Sequence, residues 1–231
     1  GDRGRLAYTR SLNDNLFEPL GAQVKADIDK GDGNELKGPG PFKMQAVHSS
    51  SALGVNVFQY WMKHNINEIA AACGFCSMSG KSSTGIRFEQ KFQIDKKFTR
   101  NPNIDVVIEN APGSEFDLFA IECKFSEAYS SRGHVGLDEK YFDLKLLWDN
   151  YPELLIFSQD IRSEDGTFFH LHPAQLVKHI LGLTAQKGVG RFKLLYLWYD
   201  CPGDEGARHR HEVEKFLNVA KKDGINFHAM T

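Results

Sequence analysis

Apolar positions change period several times along this chain, and the changes mark its elements. From about Ser49, Leu53, Val57, Tyr60, Trp61 and His64 recur at helical spacing, with the serine run as N-cap. A second helical stretch, 65–72, follows. The period then falls to two: Ile86, Phe88, Gln90 and Phe92 alternate, so 86–94 reads as a strand. Asn101-Pro102-Asn103 signals a turn, 104–108 a second strand, Ala111-Pro112-Gly113 another turn and 116–125 a third strand. Three strands on short links predict an antiparallel meander. Leu137, Tyr141, Leu144 and Trp148 line one face of a helix expected over 137–150 and ended by Pro152. Pro173 opens another helix carrying Leu176, Ile180 and Leu183. Residues 192–199 form a nearly continuous apolar run, as in a strand covered on both faces. Residues 212–222 read as a last helix and 226–230 as a short strand. Residues 1–43, with Gly31, Gly33, Gly38, Pro39, Gly40 and Pro41, have no clear period and read as loop. The expected fold is α/β, a mixed sheet with helices on its faces.

Composition bounds the picture. A chain of 231 residues, 41% hydrophobic and 25% charged, suits one domain over 1–231, with a loop-rich extension (about 1–43) and a C-terminal helical addition (about 203–231). The formal net charge of −2 announces no global basic field, though it does not describe a local groove. No apolar run reaches membrane-helix length and no signal-peptide pattern opens the chain, so a cytoplasmic protein with no membrane partner is expected. Cys73-Gly-Phe-Cys76 has CxxC spacing but no second ligand pair at suitable spacing, since His209 and His211 sit too close together. Reduced thiols are the simpler account. Residues 74–82, GFCSMSGKS, imitate a phosphate-binding loop with one residue too many. They also follow a helix, where that loop needs a strand.

The third strand, FDLFAIECKF, carries the chemistry. Within its apolar run Glu122 and Lys124 stand two residues apart and therefore share a face, with Cys123 opposite. Asp105 opens the preceding strand, and antiparallel pairing brings it beside Glu122. Two carboxylates there make a hard oxygen site suited to Mg²⁺, with Mn²⁺ as a substitute. Lys124, beside them, stays protonated and suits a charge-stabilising role. Asp105 as a turn cap and Glu122–Lys124 as a surface pair is the competing account. The apolar neighbours argue against it, because a lone buried carboxylate is expensive.

Asp105 with Glu122-Cys123-Lys124 as an E-x-K signature, on consecutive strands after a helix, resembles the PD-(D/E)XK nuclease superfamily. The segment 121–129, IECKFSEAY, is most similar to bacterial restriction-endonuclease-like proteins. The likeness spans roughly 49–200. It departs from the family in that Pro102 lies three residues before Asp105, and Asn56 and Gln59 occupy the helix face where many members carry a Glu. The resemblance implies a restriction-endonuclease-like core and a Mg²⁺-dependent DNA endonuclease, with RNA left open as substrate. Asp105, Glu122 and the Cys123 backbone carbonyl would hold metal, and Lys124 would be catalytic. Glu89, on the first strand, is the candidate for a third acidic residue, and Glu127 for a supporting one. Lys81, Lys91, Lys96, Lys97, Arg100, Arg208 and Arg210 are candidate contacts to nucleic acid. A homodimer is expected if the enzyme cuts duplex palindromes. The alternative is a non-catalytic nucleic-acid-binding module on the same fold.

Overall fold

The computed structural model describes residues 7–130, 134–162 and 164–231. In chain order its elements are α1 (Ala22–Lys30), α2 (Ser50–Phe58), α3 (Ile66–Ala72), β1 (Ser83–Lys91), β2 (Asn103–Asn110), β3 (Leu118–Lys124), β4 (His134–Val135), α4 (Lys145–Trp148), α5 (Pro152–Asp160), β5 (Glu164–Asp165), α6 (Pro173–Lys187), β6 (Phe192–Trp198), α7 (Asp204–Lys222) and β7 (Phe227–Met230). Five strands form one mixed sheet in the order β1-β2-β3-β6-β7. The first three are antiparallel, as the short links predict, while β3–β6 and β6–β7 are parallel. This mixed sheet flanked by helices matches the expected restriction-endonuclease-like α/β architecture.

Side-chain alternation on the strands sorts the core into two layers. Ile86, Phe88, Val106, Phe119 and Ile121 face α1–α3, where Val24, Ile28, Val55, Phe58 and Ala70 meet them. Val107, Leu118, Ala120, Leu194 and Tyr196 face the other side, against Trp148, Leu154, Val177, Ile180 and Phe216. Because β3 is covered on both faces, every residue from Leu118 to Cys123 is buried. α2 begins where the serine run places it: Ser49 Oγ accepts the Ala52 N–H at 3.2 Å. α6 lies close against the β1–β2 connection. A Cβ on Gly182 would stand 2.7 Å from the Phe92 carbonyl oxygen, so only glycine admits that approach.

Four expectations are corrected. Residues 137–150 do not form one helix. A 3-10 turn at Glu139–Tyr141 is capped by Asp138, the backbone leaves helical geometry at Leu144, and α4 is a single turn. Pro152 does not end a helix but starts α5, where its missing N–H is no loss. The Asp223 carboxylate accepts the Glu153 and Leu154 N–H groups at 3.1 and 2.7 Å and completes that N-terminus. The segment 1–43, of which 1–6 lie outside the described residues, is not all loop. α1 occupies 22–30, fastened by Asp27, which accepts from both Arg87 Nε and Nη2 at 2.9 and 2.8 Å. α7 starts at Asp204, so Arg208 and Arg210 lie within the helix rather than before it. The acidic pair Asp204 and Glu205 suits that N-terminus.

Candidate active site

Register, more than sequence proximity, assembles the site. β1 pairs with β2 so that Phe88 faces Val106 and Gln90 faces Ile104, which puts Glu89 opposite Asp105. β2 pairs with β3 so that Val106 faces Ile121, which puts Asp105 opposite Glu122. Three carboxylates from three adjacent strands thus form one lateral row, about 4.8 Å from strand to strand. On β3 the row lies on the face of Leu118 and Ala120, toward α6, with Cys123 turned to the opposite layer.

Each member of the row is held. Glu122 is fully buried, with Oε1 paired to Lys124 Nζ and Oε2 at 2.8 Å from His179 Nε2. Asp105 Oδ2 accepts the Cys123 N–H at 2.7 Å. Glu89 is buried in a left-handed backbone conformation, φ +49°, which is rare outside glycine, asparagine and aspartate. Its Oε2 accepts from Asn103 Nδ2 at 3.2 Å. Gly31, just after α1, backs directly onto it: a Cβ there would lie 2.9 Å from the Glu89 Cβ.

Burial and mutual repulsion split the titrations. Burial opposes the Glu122 charge, but Lys124 and His179 outweigh it and pull the group down to about 2. Burial and then the Glu122 charge push Asp105 well above the usual carboxylate range. Burial, with Glu35 and Glu122 nearby, pushes Glu89 up to about 7. Burial opposes the Lys124 charge, yet Glu122 and Asp105 outweigh it and hold the ammonium protonated. Three carboxylates ionised together would carry more negative charge than Lys124 neutralises, and Asp105 and Glu89 accordingly hold their protons more tightly than usual.

That surplus bears on whether the residues suit a cation. Among the described residues no three His, Cys, Asp or Glu side chains converge as a metal-binding group. Mg²⁺ does not require three, because it takes one or two carboxylates and keeps several waters. Asp105, Glu122 and the Cys123 carbonyl offer oxygen only, which suits a hard divalent cation, and the repulsion recorded at Asp105 and Glu89 is what such a charge would relieve. The donor chemistry fits. Cys73, by contrast, is a buried thiol pushed up to about 12 by burial, and both Cys73 and Cys76 are free.

The remaining predicted residues are dispersed. Lys91 pairs with Asp32 at 2.6 Å, Lys97 with Asp143 at 3.9 Å, and Arg210 with Asp200. Arg208 stacks on Phe169, 4.6 Å from the ring centre. Lys96 and Arg100 are exposed, with no ion pair among the described residues. Lys81 precedes the far end of β1, about 20 Å along the strand from Glu89 at ~3.3 Å per residue. Glu127 closes a local turn by accepting the Phe125 N–H at 3.0 Å.

Two residues at the site went unread. Glu35, from the loop after α1, contributes charge felt by Glu89 and borders a cleft of about 710 Å³ shared with Lys43, Ser51, Ser126 and Tyr129. Nothing in its Gly- and Pro-rich surroundings marks it. His179 had a signal, a polar residue within the apolar stripe of α6 between Leu176 and Ile180.

No curated protein and no solved structure matches the chain. A family model does, over residues 1–222, and the chain accordingly belongs to the family described as "Restriction Endonuclease associating with ARP".

Proposed function

We propose that this protein is a metal-dependent endonuclease that hydrolyses phosphodiester bonds in DNA, within a bacterial restriction or defence system. Family membership supports the nuclease and defence role in general. The observation that carries the finer reading is the row Glu89–Asp105–Glu122 with Lys124 paired to its last member. Asp105, Glu122 and the Cys123 carbonyl would hold Mg²⁺, or Mn²⁺ in its place. Such an ion supplies charge that polarises a phosphoryl oxygen and lowers the pKa of a bound water.

The chain's own groups do the rest. Lys124 keeps its proton beside Glu122 and Asp105, so it acts as a fixed positive charge for the negative charge that builds on the scissile phosphate. It also donates a hydrogen bond to orient the attacking water. Glu89 adds a third carboxylate at the end of the row. The substrate backbone would approach along the cleft that Glu35 and Lys43 border, which runs past the end of β3 at Ser126 and Glu127. DNA rather than RNA is the proposed substrate, with a homodimer acting on two-fold sites.

Cleavage of supercoiled plasmid and of DNA and RNA oligonucleotide pools, in Mg²⁺, Mn²⁺ or EDTA, tests this reading with the wild type, Glu122→Ala and Lys124→Ala. Metal-dependent cutting lost in both variants is the expected result. A folded wild type that binds nucleic acid, cuts none of it and takes up no Mn²⁺ would instead make the protein a binding module.

A further inference from the structure

His179 is fully buried, lies outside the E-x-K signature, and meets Glu122 Oε2 at 2.8 Å. We infer that it is a positioning residue: its Nε2–H commits one oxygen of Glu122, leaving Oε1, beside Lys124, to face a cation or substrate. The inference rests on the reading of Glu122 as a carboxylate of the active site.

The hydrogen-bond inventory fixes the roles. An ionised carboxylate only accepts, so Nε2 must donate. Among the described residues Nδ1 is buried with no partner, so a proton there would be an unpaired buried donor. The geometry therefore places a hydrogen on Nε2, directed at Glu122 Oε2. The ring has little freedom to swing away. It stands one turn before Gly182, where α6 packs against the Phe92 carbonyl and Pro102. Neutralising Glu122 does not require His179, because Lys124 already pairs with it. What His179 adds is direction, since it holds Oε2 while Lys124 holds Oε1.

The test uses the full chain, free of metal and then titrated with Mn²⁺. Long-range ¹⁵N–¹H correlation on histidine-labelled protein should show His179 as the Nε2–H tautomer. His179→Leu should weaken Mn²⁺ binding by about 10–100-fold, the range for lost partners of metal ligands. His179→Gln, which can place an N–H near the same point, should recover most of the loss. Adding His179→Leu to Glu122→Ala should weaken binding no further. An Nδ1–H tautomer, or a folded His179→Leu that binds Mn²⁺ as the wild type does, overturns the inference. If His179→Leu does not fold, the tautomer and the glutamine variant decide. A wild type that shows the Nε2–H tautomer but binds no Mn²⁺ refutes the metal-site reading of Glu122, and with it the orienting role.

Discussion

The backbone N–H of Cys123 donates to Asp105 Oδ2 at 2.7 Å, so the β2 carboxylate is fastened to the strand that carries Glu122. The bond holds Asp105 beside a second buried carboxylate although its own pKa is pushed up by burial and by that neighbour. On the proposed reading of Asp105 as a metal-holding carboxylate, function and stability therefore oppose each other here. Asp105→Asn keeps an acceptor for Cys123 and removes the repulsion. In EDTA it should be as stable as the wild type or more so, by about 1 kcal/mol, while cleavage falls at least ~10²-fold. Thermal unfolding and plasmid cleavage on one preparation check both halves.

Lys124→Ala should lower stability as well as activity. It leaves Glu122 fully buried with His179 as its remaining partner, and breaking a buried pair from one side costs about 3–5 kcal/mol. Urea denaturation reads the loss. A variant of unchanged stability would mean that Glu122 is better solvated than its burial indicates.

Glu89 makes the metal-free protein sensitive to pH. Its folded pKa, about 7, lies above the ordinary 4.5, so its contribution is fully present below pH 4.5 and is lost as pH rises through 7. The amount is about 3 kcal/mol at 1.36 kcal/mol per unit. Glu122 has the opposite sign, with stability present above pH 4.5 and lost as pH falls toward 2, so the two windows do not overlap. Burial holds His172 and His209 down at about 4 and about 3, and their contribution is lost as pH falls below 6.5, so Glu89 is read from a difference: in EDTA the gain in midpoint of Glu89→Gln over the wild type should grow from pH 4.5 to 8. Added Mg²⁺ should restore the midpoint at pH 8. A difference that does not change with pH would remove Glu89 from the repulsive cluster.

Gly31→Ala tests the contact behind Glu89. The added methyl meets Glu89 Cβ at 2.9 Å and the Ile28 carbonyl oxygen at 3.2 Å, so α1 or Glu89 must move. A loss of about 1–3 kcal/mol is expected, as for other overpacked sites. Gly166→Ala, with nothing within 4 Å among the described residues, is the control and should be neutral.

How far the sequence revealed this arrangement depends on the range of each interaction. Alternation along β3 is local, so Glu122 and Lys124 on one face and Cys123 on the other were legible, as was the meander that brings Asp105 alongside. α1 was hidden because only Val24 and Ile28 mark its apolar face, and its anchor, Asp27 with Arg87, joins residues far apart in the chain. The start of α5 was misread for the same reason, since its cap, Asp223, comes from beyond α7. His179 offers only one polar residue inside the apolar stripe of α6, and its partner Glu122 lies 57 residues away in the chain.

The row of carboxylates runs across the strands, and that decides where the chain can change length. Residues added at the exposed stretches of the two connections, 99–100 or 112–115, leave the row intact, because a longer link alters closure entropy only slightly, whereas Phe92, Ile94 and Phe98 are fixed in the core. One residue added inside β2, between Asp105 and Glu109, slides Asp105 off Glu89 and Glu122 and turns it to the other face of the sheet. Natural variation in length should therefore gather in those two connections, and a library of single-residue insertions should find β2 the least forgiving strand.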